Sequence, residues 1–102
     1  RNDPAFKDND YWRGRIWAPL NFLVYMGLQN YDLPEVRKAV AEKSKVLLLK
    51  EWLKDGSVYE NYDSVLGEGP HRRSDRFYHW GALLSYIALI EDGYIAPIKI
   101  ND

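Results

Sequence analysis

A chain of 102 residues, 46% of them hydrophobic, is long enough for one small domain with its own core, here taken as residues 1–102 without a second domain. Fourteen Lys and Arg against fifteen Asp and Glu leave no net basic field, which argues against nucleic acid or an anionic membrane as a partner. With no cysteine there is neither a disulfide framework nor thiolate chemistry, and the longest apolar run, "GALLSYIALI" at 81–90, falls well short of the roughly 20 residues that span a bilayer. The polar start "RNDPAFKDND" has no signal-peptide character, so the compartment stays open, with the cytoplasm slightly favoured.

Residues 1–15 carry Asp, Asn, Gly and Pro at short intervals and read as irregular, with "YWRGRIW" at 11–17 crowding three large aromatics around two arginines. From Trp17 to about Gln29, Leu20, Leu23, Val24, Gly27 and Leu28 recur at helical steps and predict a first helix with that stripe inward, Pro19 being tolerable in its first turn. "YDLPE" predicts the next start, with Asp32 as N-cap and Glu35 at capping-box spacing. The second helix should run from about Leu33 to Lys54, with Val36, Val40 and Leu47 inside, Glu35, Arg37, Lys38, Glu42 and Lys43 outside, and "DG" at 55–56 as its stop.

Residues 56–76, "GSVYENYDSVLGEGPHRRSDR", lack either period but hold aromatic and aliphatic residues, which predicts an ordered functional loop. Within it Asp63 suits an Asx turn, and the basic run 71–76, with Glu68 and Asp75 close by, suits a solvated face. A third helix follows from Phe77 or His79 to "EDG" at 91–93, with Trp80, Leu83, Leu84, Ile87 and Ile90 on one stripe. The tail "YIAPIKI" alternates weakly, as a short extended piece would.

A short connection makes the first two helices antiparallel neighbours, so the start of the first, the end of the second and the start of the third share one end. That would gather Tyr11, Trp12, Arg13, Trp17, Tyr59, Glu60, Tyr62, Tyr78, His79 and Trp80 at one rim. An aromatic cup around a carboxylate suits a sugar, because rings stack on apolar sugar faces and a partly desolvated acid can move protons. The same aromatics would equally serve as core. The two histidines and "DND" at 8–10 make no recognisable zinc or calcium set, and no metal or cofactor is expected.

"YWRGRIWAPLNFLVYMGLQNY", "VYENYDSVLGEG" and "FYHWGALLSYIALIE", in this order, resemble the C-terminal part of glycoside hydrolase family 63 and, less closely, the family 37 trehalases. The resemblance implies an all-α fold, the C-terminal helices of an (α/α)6 toroid left incomplete in this chain, and an inverting α-glycoside hydrolase. It implies Glu60 as general base and Tyr11, Trp12, Arg13, Trp17, Tyr62, His79 and Trp80 as substrate-binding residues. The family's general acid, an Asp, lies N-terminal of the matching part. The chain alone is therefore expected to be inactive, with the remaining N-terminal part of the catalytic domain and a carbohydrate as partners. Glucosides, mannosides, glycosylglycerates and oligosaccharide ends all remain compatible. The alternative is a non-catalytic helical module whose aromatics are core. The two differ in whether Glu60 sits at a pocket floor beside exposed rings or in open solvent beside buried ones.

Overall fold

The computed structural model describes residues 3–4 and 9–97. The chain forms β1 (Ile16–Trp17), α1 (Ala18–Leu28), α2 (Pro34–Asp55), β2 (Asn61–Tyr62), a 3-10 turn (His79–Ala82) and α3 (Leu83–Glu91). Among the described residues it is all-α apart from the short antiparallel pairing of β1 with β2, in which Ile16 faces Tyr62 and Trp17 faces Asn61, and isolated bridges such as Tyr59 with Arg76.

Local chemistry sets most of the boundaries. Trp17 is still extended (φ −114°, ψ 124°), and Pro19 follows in the first turn of α1, where its missing N–H removes no helical bond. The second helix begins at Pro34, and Leu33, not Asp32, is its N-cap, with no side-chain cap bond. The cause is Pro34: the residue before a proline is excluded from the helical region, so Leu33 stays outside (φ −131°) and Asp32 is one position too early. At the other end Gly56 takes the left-handed conformation (φ 67°) and returns its N–H to the Trp52 carbonyl at 2.8 Å, the stop that "DG" predicts. Helix α3 ends as expected too, with Gly93 left-handed (φ 81°). Residues 94–97 of the tail form no strand, and 98–100 lie outside the described residues.

Two clusters of buried residues fix how the helices run. Ala18 shares one cluster with Tyr59, Tyr62 and Leu84, with Leu47 and Leu48 packed against it, while further along Tyr25 shares a second with Ala41, Ile87 and Ile90. Following α1 from 18 to 25 therefore descends α2 from 48 to 41 and ascends α3 from 84 to 90. The second helix is antiparallel to the other two, and the starts of α1 and α3 share an end with the C-terminus of α2.

Of the stripe predicted for the third helix, Leu84, Ile87 and Ile90 are buried and Leu83 is partly buried, whereas Trp80, in the 3-10 turn before α3, is exposed. In α1 the predicted stripe is not the buried one. Leu20, Leu23 and Val24 are exposed, and the helix packs through Ala18 and Tyr25, with Phe22 and Met26 partly buried beside them. Helix α1 is apolar nearly all round, so its periodicity could not say which face meets α2 and α3. In α2, Val36 is likewise exposed, and Ala41, Ser44 and Glu51 form the buried line. Among the described residues no helix is long and apolar enough to cross a membrane.

Candidate active site

The segment 57–76 is an ordered loop tied to both aromatic segments. Its β2 strand pairs with β1, the last two residues of "YWRGRIW". On its other side the Phe77 N–H donates to the Val58 carbonyl at 2.7 Å, and Gly81 backs onto Tyr59. The three segments that sequence reasoning brings to one rim do meet there.

The aromatic wall is layered. The Trp17 ring is buried, and its Nε1–H donates to the Tyr11 carbonyl at 3.1 Å. Trp12 stacks on it at 3.6 Å between centroids and 11° between planes, and is itself 54% exposed. Tyr11 meets Trp17 edge-on at 4.8 Å. Tyr11 (φ 49°) and Phe77 (φ 58°) both hold left-handed backbone conformations, which cost non-glycine residues about 1–3 kcal/mol each and cluster at ligand sites. Across the rim Tyr78 and His79 stack at 5.2 Å, with Trp80 edge-on to His79 at 5.8 Å. His79 and Trp80 are both exposed.

Glu60 is half-buried and immediately precedes β2. Its backbone N–H donates to the Asp75 carbonyl at 2.9 Å, and its Oε2 lies 3.5 Å from Asn61 Nδ2. Tyr62 faces away from the rim into the core: it is fully buried against Tyr59, Ala18 and Leu84, and its hydroxyl accepts the Tyr59 N–H at 3.1 Å. Burial pushes the Tyr62 hydroxyl pKa up. Of the aromatic residues at the rim, then, Trp17 and Tyr62 are buried, and Trp12, His79 and Trp80 are exposed.

Several residues that hold the site together escaped the sequence reading. Asp10 is buried, with Oδ2 3.2 Å from both Arg72 and Arg73 and 3.6 Å from Arg13, and Oδ1 4.0 Å from His71. Burial pushes its carboxyl up, but Arg73, Arg72 and His71 together hold it below the ordinary carboxylate value. The basic run 71–76 is thus in part an anchor and not simply a solvated face. Asp63 makes the expected Asx turn, its Oδ1 accepting from the Val65 and Leu66 N–H groups at 2.7 Å each. Arg15 is buried, donates to Asn61 Oδ1 and the Glu68 carbonyl, and lies 3.8 Å from Asp63. Glu51, fully buried under the loop, accepts the Gly69 N–H at 3.2 Å. Its position in line with Ala41 and Ser44 on α2 was the signal that could have found it.

The family profile of the glycosyl hydrolase family 63 C-terminal domain matches residues 1–89. The chain belongs to glycosyl hydrolase family 63. Among its relatives, the family 63 chain is 33% identical to the mannosyl-oligosaccharide glucosidase of Saccharomyces cerevisiae over 99 residues, covering 82% of this chain and 12% of that protein. It is 34% identical to a mannosylglycerate hydrolase of Selaginella moellendorffii over 66% of this chain and 13% of the other, and 31% identical to a probable trehalase of Eremothecium gossypii over 81% and 12%. This family 63 chain therefore spans about an eighth of the length of these relatives. No solved structure matches it.

Proposed function

We propose that this chain supplies the general base and one aromatic wall of the sugar site in an inverting α-glycosidase acting on α-linked glucosides or mannosides. Glu60 takes a proton from water as that water's oxygen attacks the anomeric carbon. The glycosidic C–O bond breaks, and the leaving oxygen is protonated by a second carboxyl group contributed from outside these residues, about 6.5–9.5 Å from the first. Trp12 stacks on the sugar with Trp17 as its backing, Tyr11 and Arg13 flank it, and His79 and Trp80 close the opposite side. Tyr62 supports β2 from the core.

The observation that carries this reading is the juxtaposition of Glu60, half-buried, with two exposed aromatic segments that are distant in sequence but bonded to its own loop. The exposed aliphatic faces of α1 and α2 fit the same picture, in which further helices of an (α/α)6 toroid cover them. The non-catalytic alternative rests on the burial of Trp17 and Tyr62, and it leaves the exposure of Trp12 and Trp80 without a purpose.

The test is Glu60→Gln in the complete protein that carries this segment. Turnover should fall by at least about a hundredfold while sugar binding survives. Unaltered turnover refutes the assignment.

A further inference from the structure

Asn61 is completely buried, yet all of its amide is used. Its Oδ1 accepts from Arg15 Nε, and its Nδ2 donates to the Arg73 carbonyl at 2.8 Å and faces Glu60 Oε2 at 3.5 Å. Its backbone is held as well, because the Ser74 hydroxyl donates to the Asn61 carbonyl at 2.7 Å and accepts the Asn61 N–H at 3.2 Å.

The orientation of this amide follows from its partners. A guanidinium can only donate and a carbonyl can only accept, so Arg15 must face the amide oxygen and Arg73 must face the nitrogen. Reversing the amide would break both contacts inside a buried site, at the full cost of leaving those groups unpaired. With one N–H committed to the Arg73 carbonyl, the other is forced toward Glu60. The clamp is tied to the rest of the rim, since Arg15 also reaches the Glu68 carbonyl and Arg73 is anchored by Asp10.

We infer that Asn61 is the positioning residue of the base: it turns one N–H onto Glu60 Oε2, fixes the carboxylate rotamer and leaves Oε1 to take the proton from water. This rests on the proposed role of Glu60. The contact is long for a hydrogen bond in the free protein, and catalytic contacts of this kind shorten when substrate fills the site. The charged groups facing the amide are Arg15 on one side and Glu60 on the other, so a change of charge at position 61 is felt directly by the base.

Two measurements on the complete protein test it. Asn61→Asp keeps the oxygen that faces Arg15 but sets a second carboxylate beside Glu60, and like charges at that separation favour the protonated forms. The acid limb of the kcat/KM profile should move up by about one pH unit. Asn61→Ala should lower kcat about tenfold with KM little changed, and should add nothing further in a Glu60→Gln background, because its effect passes through Glu60. An unmoved acid limb, or effects of the two substitutions that multiply, overturns the role of Asn61 while leaving Glu60 as base. Full turnover in Glu60→Gln alone overturns both.

Discussion

Gly81 connects helix packing to chemistry in a single atom. A Cβ at this position would lie 2.6 Å from the Tyr59 carbonyl oxygen, 3.2 Å from Val58 Cβ and 3.3 Å from the Tyr59 nitrogen. Ordinary contact begins near 3.4 Å, so Gly81→Ala must separate the 3-10 turn before the third helix from residues 58–60 by about 0.8 Å, the difference between 3.4 and 2.6. The nearest atom is backbone, so no side-chain rotation relieves the clash. Tyr59 is buried among Ala18, Tyr62 and Leu84 and cannot retreat inward. Overpacking of this kind costs about 1–3 kcal/mol, and a displacement of near 1 Å at a reacting group costs up to about a hundredfold in rate. Tyr59 directly precedes Glu60, so Gly81→Ala should lower kcat between about ten- and a hundredfold in a protein that still folds. Turnover against a chromogenic glycoside, with the unfolding midpoint measured in parallel, separates the two effects. A variant with unchanged kcat and midpoint would show that the segments 58–60 and 77–81 are not held together as described, and would refute the reasoning.

The stacked tryptophans should respond differently to the same change. Trp12→Ala should raise KM with little loss of stability, whereas Trp17→Ala, which empties a buried site, should cost about 3–5 kcal/mol on denaturant unfolding. At the far end of the bundle Tyr25 donates to Glu91 Oε2 at 2.7 Å and Arg37 Nε donates to the same oxygen at 2.9 Å, joining all three helices. Burial raises the Glu91 carboxyl, but the bonds from Tyr25 and Arg37 outweigh it and hold the pKa below the ordinary 4.5. The stability from this network is therefore complete above pH 4.5 and is lost as pH falls through the lowered value, and an acid unfolding series on Glu91→Gln should show that component missing. Burial and Glu91 push the Tyr25 hydroxyl the other way, up from 10.0 to about 12, so the stability it lends persists to pH 10 and is lost as pH rises toward 12. The ultraviolet difference between wild type and Tyr25→Phe should show its ionisation in that range.

Much of this was legible in the sequence where a local rule had one answer. Gly56 after Asp55 marked a helix end because glycine takes the left-handed conformation at little cost, and the third helix showed Leu84, Ile87 and Ile90 at helical spacing. The convergence of three segments followed from a short connection between two helices. What was not legible depended on choices that only tertiary structure makes. The first helix is apolar on several faces, so Leu20, Leu23 and Val24 looked like core although Ala18 and Tyr25 take that place. Pro34 displaced the cap that Asp32 and Glu35 suggested. Asp10 and Asn61 looked like ordinary polar loop residues, because their partners lie 62 and 46 positions away along the chain.

The exposed apolar surface divides into two kinds with different physical meanings. On the first and second helices it is mostly aliphatic, with Leu20, Leu23, Val24, Val46 and Leu53 open and Trp52 as the aromatic exception. Such surface offers dispersion and little else, which another helix can match ridge into groove but a hydroxyl-rich ligand cannot. At the rim the exposed surface is aromatic, and it is interleaved with groups that donate or accept hydrogen bonds: Trp12 beside Arg13, and Trp80 beside His79. A ring face next to a fixed polar group is what a sugar presents in complement, an apolar face edged with hydroxyls. The left-handed backbone at Tyr11 and Phe77 strengthens the distinction, because strain is held at the aromatic rim and not along the aliphatic stripes. On the proposed reading, further helices cover the stripes and a sugar covers the rim.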